Sequence, residues 1–269
     1  RWREILALAG RMGQLGTPDE ISCCSVLRAC REVGQWQPAV QILAAMRDAN
    51  LEPDGYAYSM VIGVCSQAEQ YEEVARLFED AQQDLLGGDS PLGFGKYGMS
   101  MAVSAIHALT ELHQMEAAEA LCRKALDQGW LQVWRSSRFR LRAAYLDLAG
   151  LPPAVAKIAT RLALEDLASD PDGKRRKIPR SLQGGSRQGL NIVVKREEDE
   201  EEGEETVAGV VLQVLQELCG PSEELEVDVG PLSTIKMPAQ ALEGILLRDV
   251  RRAVADTGDL SGSGNTGSM

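Results

Sequence analysis

The stretch "LDLAG", Leu146 to Gly150, lies between an apolar run and a proline-led helical pattern and has the composition of a reactive turn. Loops at strand ends hold side chains on a rigid base, and catalytic groups collect there. Asp147 can act as an acid or a ligand, whereas Ala149, two residues on, carries no proton-transfer group. Other reactive types are sparse. The six cysteines (Cys23, Cys24, Cys30, Cys65, Cys122, Cys219) form no Cys-x-x-Cys pair, and most fall in apolar helical patterns where a thiol behaves as a small hydrophobe. They imply a reducing compartment. With His107 and His113 as the only histidines, the ligands for a Cys/His zinc site are too few and badly spaced, so neither a metal nor a cofactor is expected.

Charge is the next chemical resource. The formal net charge of −12 argues against nucleic acid, whose affinity rests on cations neutralising phosphates. The distribution qualifies the sum, because "EEDEEEGEE" (Glu197 to Glu205) holds eight acids and its removal leaves −4. Two basic clusters stand against it: Arg135, Arg138, Arg140 and Arg142, then Lys174, Arg175, Arg176, Lys177 and Arg180. They are the candidate phosphate contacts. No run approaches the roughly 18 to 20 apolar residues of a membrane span.

The elements that must position these residues begin with a repeat. Pro18-Asp19 and Pro53-Asp54 lie 35 residues apart, and at that spacing Val26 matches Val61, Leu27 Ile62, Cys30 Cys65, Ala39 Val74 and Ile42 Leu77. Within each unit apolar residues fall at i, i+3, i+4 and i+7, which predicts two amphipathic helices around a polar turn near Gly34 or Glu69. A lone hairpin leaves an apolar face wet. Stacking buries it, giving an α-solenoid with a concave surface lined by the first helix of each pair. A third unit, 99–130, follows a Gly-rich insertion, "LLGGDSPLGFG". The first segment, 1–19, reads as the second half of an earlier hairpin, so the chain is expected to begin inside a larger protein.

The 35-residue hairpin, with "EPD" at its end and "EEVARLFEDA" in its second helix, resembles the pentatricopeptide repeat family of RNA-binding proteins. The tetratricopeptide repeat, with its period of about 34 and a Trp-x-x-Leu-Gly pattern, fits less well. The resemblance covers 1–130, as a half-repeat 1–19 and repeats 20–54, 55–86 and 99–130. It implies one unstacked base read per repeat, by the fifth and last residues of each unit. Those positions are Cys24 with Asp54, then Ser59, then Val103, with Asp19 closing the half-repeat. Asp19, Asp54 and Ser59 have base-reading chemistry, while Cys24 and Val103 do not.

After a basic linker, 131–143, the pattern changes to alternating strands and helices over 144–254. "AYLDLAG", "GLNIVV", "LEVDVG" and "LSTIKM" read as strands. "AVAKIATRLALEDLA", "TVAGVVLQVLQELC" and "PAQALEGILLRDVRRAV" read as helices. The βαβαββ order with a closing helix predicts a small α/β sandwich, with disordered loops at 170–189 and 195–206 and a disordered tail at 255–269. The unit resembles the small MutS-related (Smr) domain, whose first strand ends in Leu-Asp-x-His-Gly and whose second runs into a Thr-Gly-x-Gly loop. Leu146, Asp147 and Gly150 match, but Ala149 stands at the histidine position and "KREEDEEEGEE" replaces the glycine loop. A carboxylate run repels the phosphodiester such a loop would cradle. Asp147, Ala149 and Gly150 are therefore vestigial positions, and no catalytic residue is expected.

Together the resemblances imply sequence-selective binding of single-stranded RNA, in RNA processing or stabilisation within a plastid or mitochondrion. Two alternatives stay open: an active RNA endonuclease using Asp147 and nearby arginines, and a protein-interaction scaffold whose acidic loop docks a basic partner. No membrane association is expected.

Overall fold

The computed structural model describes residues 20–86, 94–136, 144–169, 190–194, 206–219, 226–229 and 233–238. The chain divides into two compact units, Arg1–Gln132 and Val133–Met269.

The first unit contains three stacked helical hairpins: α1 (Glu20–Val33) with α2 (Trp36–Asp48), α3 (Gly55–Gln67) with α4 (Tyr71–Leu86), and α5 (Gly98–Glu111) with α6 (Met115–Gln128). The matching apolar positions form the core. Leu27, Ile62 and Ile106 are buried at corresponding places on the first helices, as are Ala39, Val74 and Ala118 on the second. Truncating Leu27, Ile62 or Ile106 to alanine costs about 2 to 5 kcal/mol. The first helices pack side by side, α1 on α3 and α3 on α5.

The repeat is equally visible in the turns. Gly34, Glu69 and His113 take left-handed φ values of 70°, 56° and 57°. Their N–H groups bond to Arg31, Ser66 and Thr110, and the N–H groups of Gln35, Gln70 and Gln114 reach back to Cys30, Cys65 and Leu109. This paired pattern is the Schellman motif, which satisfies carbonyls orphaned at a helix end. The 35-residue step from Gly34 to Glu69 becomes 44 from Glu69 to His113, and the difference is taken up by the insertion before α5. At its exit Phe94 is buried against Trp130 and Phe78, with centroids 4.6 and 5.5 Å away. A short 3-10 turn, Gly95–Tyr97, then leads into α5. A Cβ at Gly98 would lie 3.1 Å from Phe94 Cβ and 3.4 Å from Trp130 Cδ1, so glycine permits this close passage.

Polar contacts fasten the second helices. Arg47 on α2 pairs with Asp80 and Asp84 on α4 at 3.3 and 3.0 Å. The buried Tyr58 of α3 accepts from Arg47 and donates to Asp84. Burial pushes its phenol above the ordinary range, and the hydrogen bond to Asp84 adds to that.

The second unit is a five-stranded mixed sheet in the order β1-β2-β3-β5-β4: β1 Trp134–Ser136, β2 Ala144–Asp147, β3 Leu190–Val193, β4 Glu226–Val229 and β5 Ser233–Met237. Among the described strands only β2 and β3 pair in parallel. That pairing requires a crossover, which contains α7 (Pro153–Ser169), and α8 (Val207–Cys219) follows β3. One register row runs Trp134, Leu146, Ile192, Ile235, Val227, and the next runs Arg135, Tyr145, Asn191, Lys236, Glu226. Leu146, Ile192 and Ile235 are buried, as are Val155, Ala159 and Leu162 of α7 and Val207, Val211 and Leu215 of α8. The buried Thr160 hydroxyl donates to the Ala156 carbonyl at 2.7 Å, so burial leaves no orphan there.

One sequence expectation is corrected. Trp134–Ser136, read as part of a basic linker, is an edge strand antiparallel to β2. The stretch expected to close the sandwich as a helix lies outside the described residues, as do the stretches expected to be disordered, except Thr206, whose hydroxyl accepts from the Gly209 N–H at 3.0 Å at the start of α8.

Candidate functional site

On the first-helix layer an open groove of about 480 Å³ runs between α1 and α3, lined by Arg28, Arg31, Glu32, Tyr56, Met60 and Gln67. It continues into a second hollow that shares Arg28 and Tyr56 and adds Cys24 and Ile21. Helical spacing builds both walls. Cys24, Arg28 and Arg31 follow i, i+4, i+7 on α1, and Tyr56, Met60 and Gly63 do so on α3. Gly63, one turn on from Met60, lies under the Arg31 side chain. A Cβ there would meet the Arg31 guanidinium at 3.9 Å, an ordinary contact, so the cation passes over Gly63 with room for a methyl group between them.

The electrostatics of this face differ from those of the second helices. Arg31 directs Nη1 to the Met60 sulfur at 3.6 Å, a weak acceptor, and has no carboxylate partner among the described residues. Arg28 pairs with Glu32 at 3.4 Å, but both side chains are about 70% exposed and such a pair is worth little. By contrast Arg47 and Arg76 pair with carboxylates at each guanidinium. The groove thus brings together Arg31, with no carboxylate partner among the described residues, and the half-buried Tyr56 ring.

The expected base-reading positions are placed unevenly. Cys24 lines the hollow, and Asp54 is near enough to act on it: burial, then the Asp54 carboxylate, pushes the thiol up to about 11. Cys24 is therefore protonated at neutral pH and no nucleophile. Asp54 is the N-cap of α3, accepting from the Ala57 N–H at 2.8 Å. Ser59 is 7% exposed and donates to the Tyr56 carbonyl at 3.2 Å. Val103 is half-buried on α5. Asp19 lies outside the described residues, as do Arg138, Arg140, Arg142, Lys174, Arg175, Arg176 and Lys177. Arg135 stands in β1 opposite Tyr145.

In the second unit the turn after β2 is complete. The Leu151 N–H bonds to the Leu148 carbonyl at 3.1 Å, with Gly150 at φ +80°. Positive φ at the third position of such a turn favours glycine. Asp147 Oδ1 accepts from the Ala149 N–H at 3.2 Å and so braces the turn. Ala149 is exposed at its tip, and no proton carrier stands at that position. Among the described residues no cluster of three or more His, Cys, Asp or Glu could hold a metal ion, and no helix is long and apolar enough to cross a membrane.

No family model matches the chain. The likeness found is to a pentatricopeptide repeat protein. A 77-residue segment, 28% of the chain, is 36% identical to a putative pentatricopeptide repeat-containing protein of Arabidopsis thaliana. The match spans 14% of that relative's length, so it supports a distant helical-repeat resemblance and nothing finer.

Sequence reasoning missed Arg28, Arg31, Tyr56, Met60 and Gln67. A signal was present, since these residues lie off the apolar stripes of α1 and α3. Their convergence depends on how the two helices pack, which neither helix encodes alone.

Proposed function

We propose that the chain binds single-stranded RNA along the first-helix layer, with Arg31 on a phosphate and Tyr56 stacked on a base, and that its second unit has no nuclease activity. The observation that carries this reading is the carboxylate-free Arg31 beside Tyr56 in an open groove. Single-strand sites pair a backbone-tracking cation with an aromatic platform, because every base has a π-face and every linkage a charge. The repeat period and the partial likeness to a pentatricopeptide repeat protein point the same way. Sequence selectivity would come from Asp54, an organellar role in RNA processing or stabilisation from the family resemblance alone, and any Smr-like origin of the second unit from the Asp147–Gly150 turn.

A mobility-shift comparison of single-stranded and duplex RNA on the full chain tests the reading. Tyr56 reaches a base only when it is unstacked, so single strands should bind more tightly. Equal affinity for the duplex would refute base stacking at this groove.

A further inference from the structure

Tyr56 lines both hollows between α1 and α3, and its ring also meets a residue from just before α5. Tyr97, from the 3-10 turn of the insertion, packs on Tyr56 with ring centroids 5.6 Å apart and planes inclined at 57°. Lys96 Nζ sits 5.1 Å from the Tyr97 centroid. The turn is held from behind, because Phe94 is buried against Phe78 and Trp130 three residues before Tyr97, and Gly98 passes so close to both that a Cβ there would lie 3.1 Å from Phe94 Cβ. At the 44-residue step Tyr97 stands where the preceding unit has Pro53, so the ring is not a repeated feature. On the next first helix, Val103 offers no donor or acceptor to a base edge.

We infer that Tyr97 closes the nucleotide track: its ring, tilted against Tyr56 just ahead of α5, crowds that side of the platform, so the step between α3 and α5 takes no base and the strand leaves the first-helix layer there. This deepens the RNA-binding reading and rests on it. The insertion then acts as a register stop that limits the bound strand to the α1 side of Tyr56, while Lys96, exposed beside the stop, faces the departing strand.

The test uses the full chain and a length ladder of oligouridylates. The readout is the shortest oligomer that reaches limiting affinity, compared for wild type, Tyr97→Ala, Tyr97→Leu and Tyr97→Phe. Opening the second face of Tyr56 in Tyr97→Ala or Tyr97→Leu should lengthen the minimal oligomer by one nucleotide. It should also tighten limiting binding about fivefold, the low end for one aromatic–base stack. Tyr97→Phe keeps the ring contact and should match wild type. Tyr97→Leu preserves apolar packing if the alanine variant is too unstable to assay. Unchanged length and affinity in both the leucine and alanine variants would overturn the inference while leaving the groove intact. Weakened binding in them would instead make Tyr97 a platform rather than a stop, and also overturns it. Absence of binding by wild type itself would sink the RNA-binding reading, and this inference with it.

Discussion

The Arg31 guanidinium passes over Gly63 with Nη1 3.6 Å from the Met60 thioether, so among the described residues this cation on the first-helix face is met by sulfur rather than a carboxylate. Arg31→Ala should lower the slope of log affinity for single-stranded RNA against log salt by about 0.7, the change expected for one lost phosphate contact on a single strand. Arg47, paired with Asp80 and Asp84 on the second helices, is the control, and Arg47→Ala should leave that slope unchanged. Filter-binding titrations at several salt concentrations separate the two.

Stability should depend on the second helices instead. Tyr58→Phe deletes a buried hydroxyl that bridges Arg47 and Asp84. Hydrogen bonds to charged groups are worth about 1.5 to 3 kcal/mol, and a loss in that range is expected as a lower urea midpoint at unchanged slope. RNA affinity of the folded variant should not change.

Asp54 links stability to thiol chemistry. Asp54→Ala removes the α3 cap, which costs about 1 kcal/mol. It also removes a negative charge that helps hold the Cys24 thiol up at about 11, although burial, the larger cause, stays. The Cys24 pKa should therefore fall but remain above an ordinary thiol's. Because the folded value is raised, the contribution of Cys24 to stability is complete below the unfolded thiol pKa and is lost as pH rises towards 11. Alkylation rate against pH, followed at Cys24 by peptide mapping, checks the direction; an unmoved midpoint in Asp54→Ala would show that the carboxylate does not act on the thiol.

The purified chain should not cleave RNA or DNA with Mg²⁺ or Mn²⁺. Asp147 is engaged in bracing its own turn and Ala149 supplies no proton at the tip. Metal-dependent cleavage abolished by Asp147→Ala would contradict this.

The hairpins were legible in the sequence because each helix carries its own apolar stripe and the Pro-Asp pairs mark the period. The turn at Asp147 was legible because Gly150 and the short polar reach of Asp147 are local signals. Trp134–Ser136 was not legible: a three-residue edge strand satisfies its backbone through one neighbour, and its arginine-rich surroundings read as linker. Ser59 looked like a base reader, yet α3 packs against α1, α4 and α5, and a helix covered so widely buries even a polar residue. The Arg31–Tyr56 groove was hidden for the opposite reason, since its two halves come from different helices.

Ultraviolet crosslinking of oligouridylate to the full chain, with the adducted peptides mapped by mass spectrometry, tests the central claim most directly. Binding along the first-helix layer predicts adducts on α1 and α3, with Tyr56 or its immediate neighbours carrying the nucleotide. Adducts confined to the basic clusters at 135–142 and 174–180, with α1 and α3 unmodified, would contradict it.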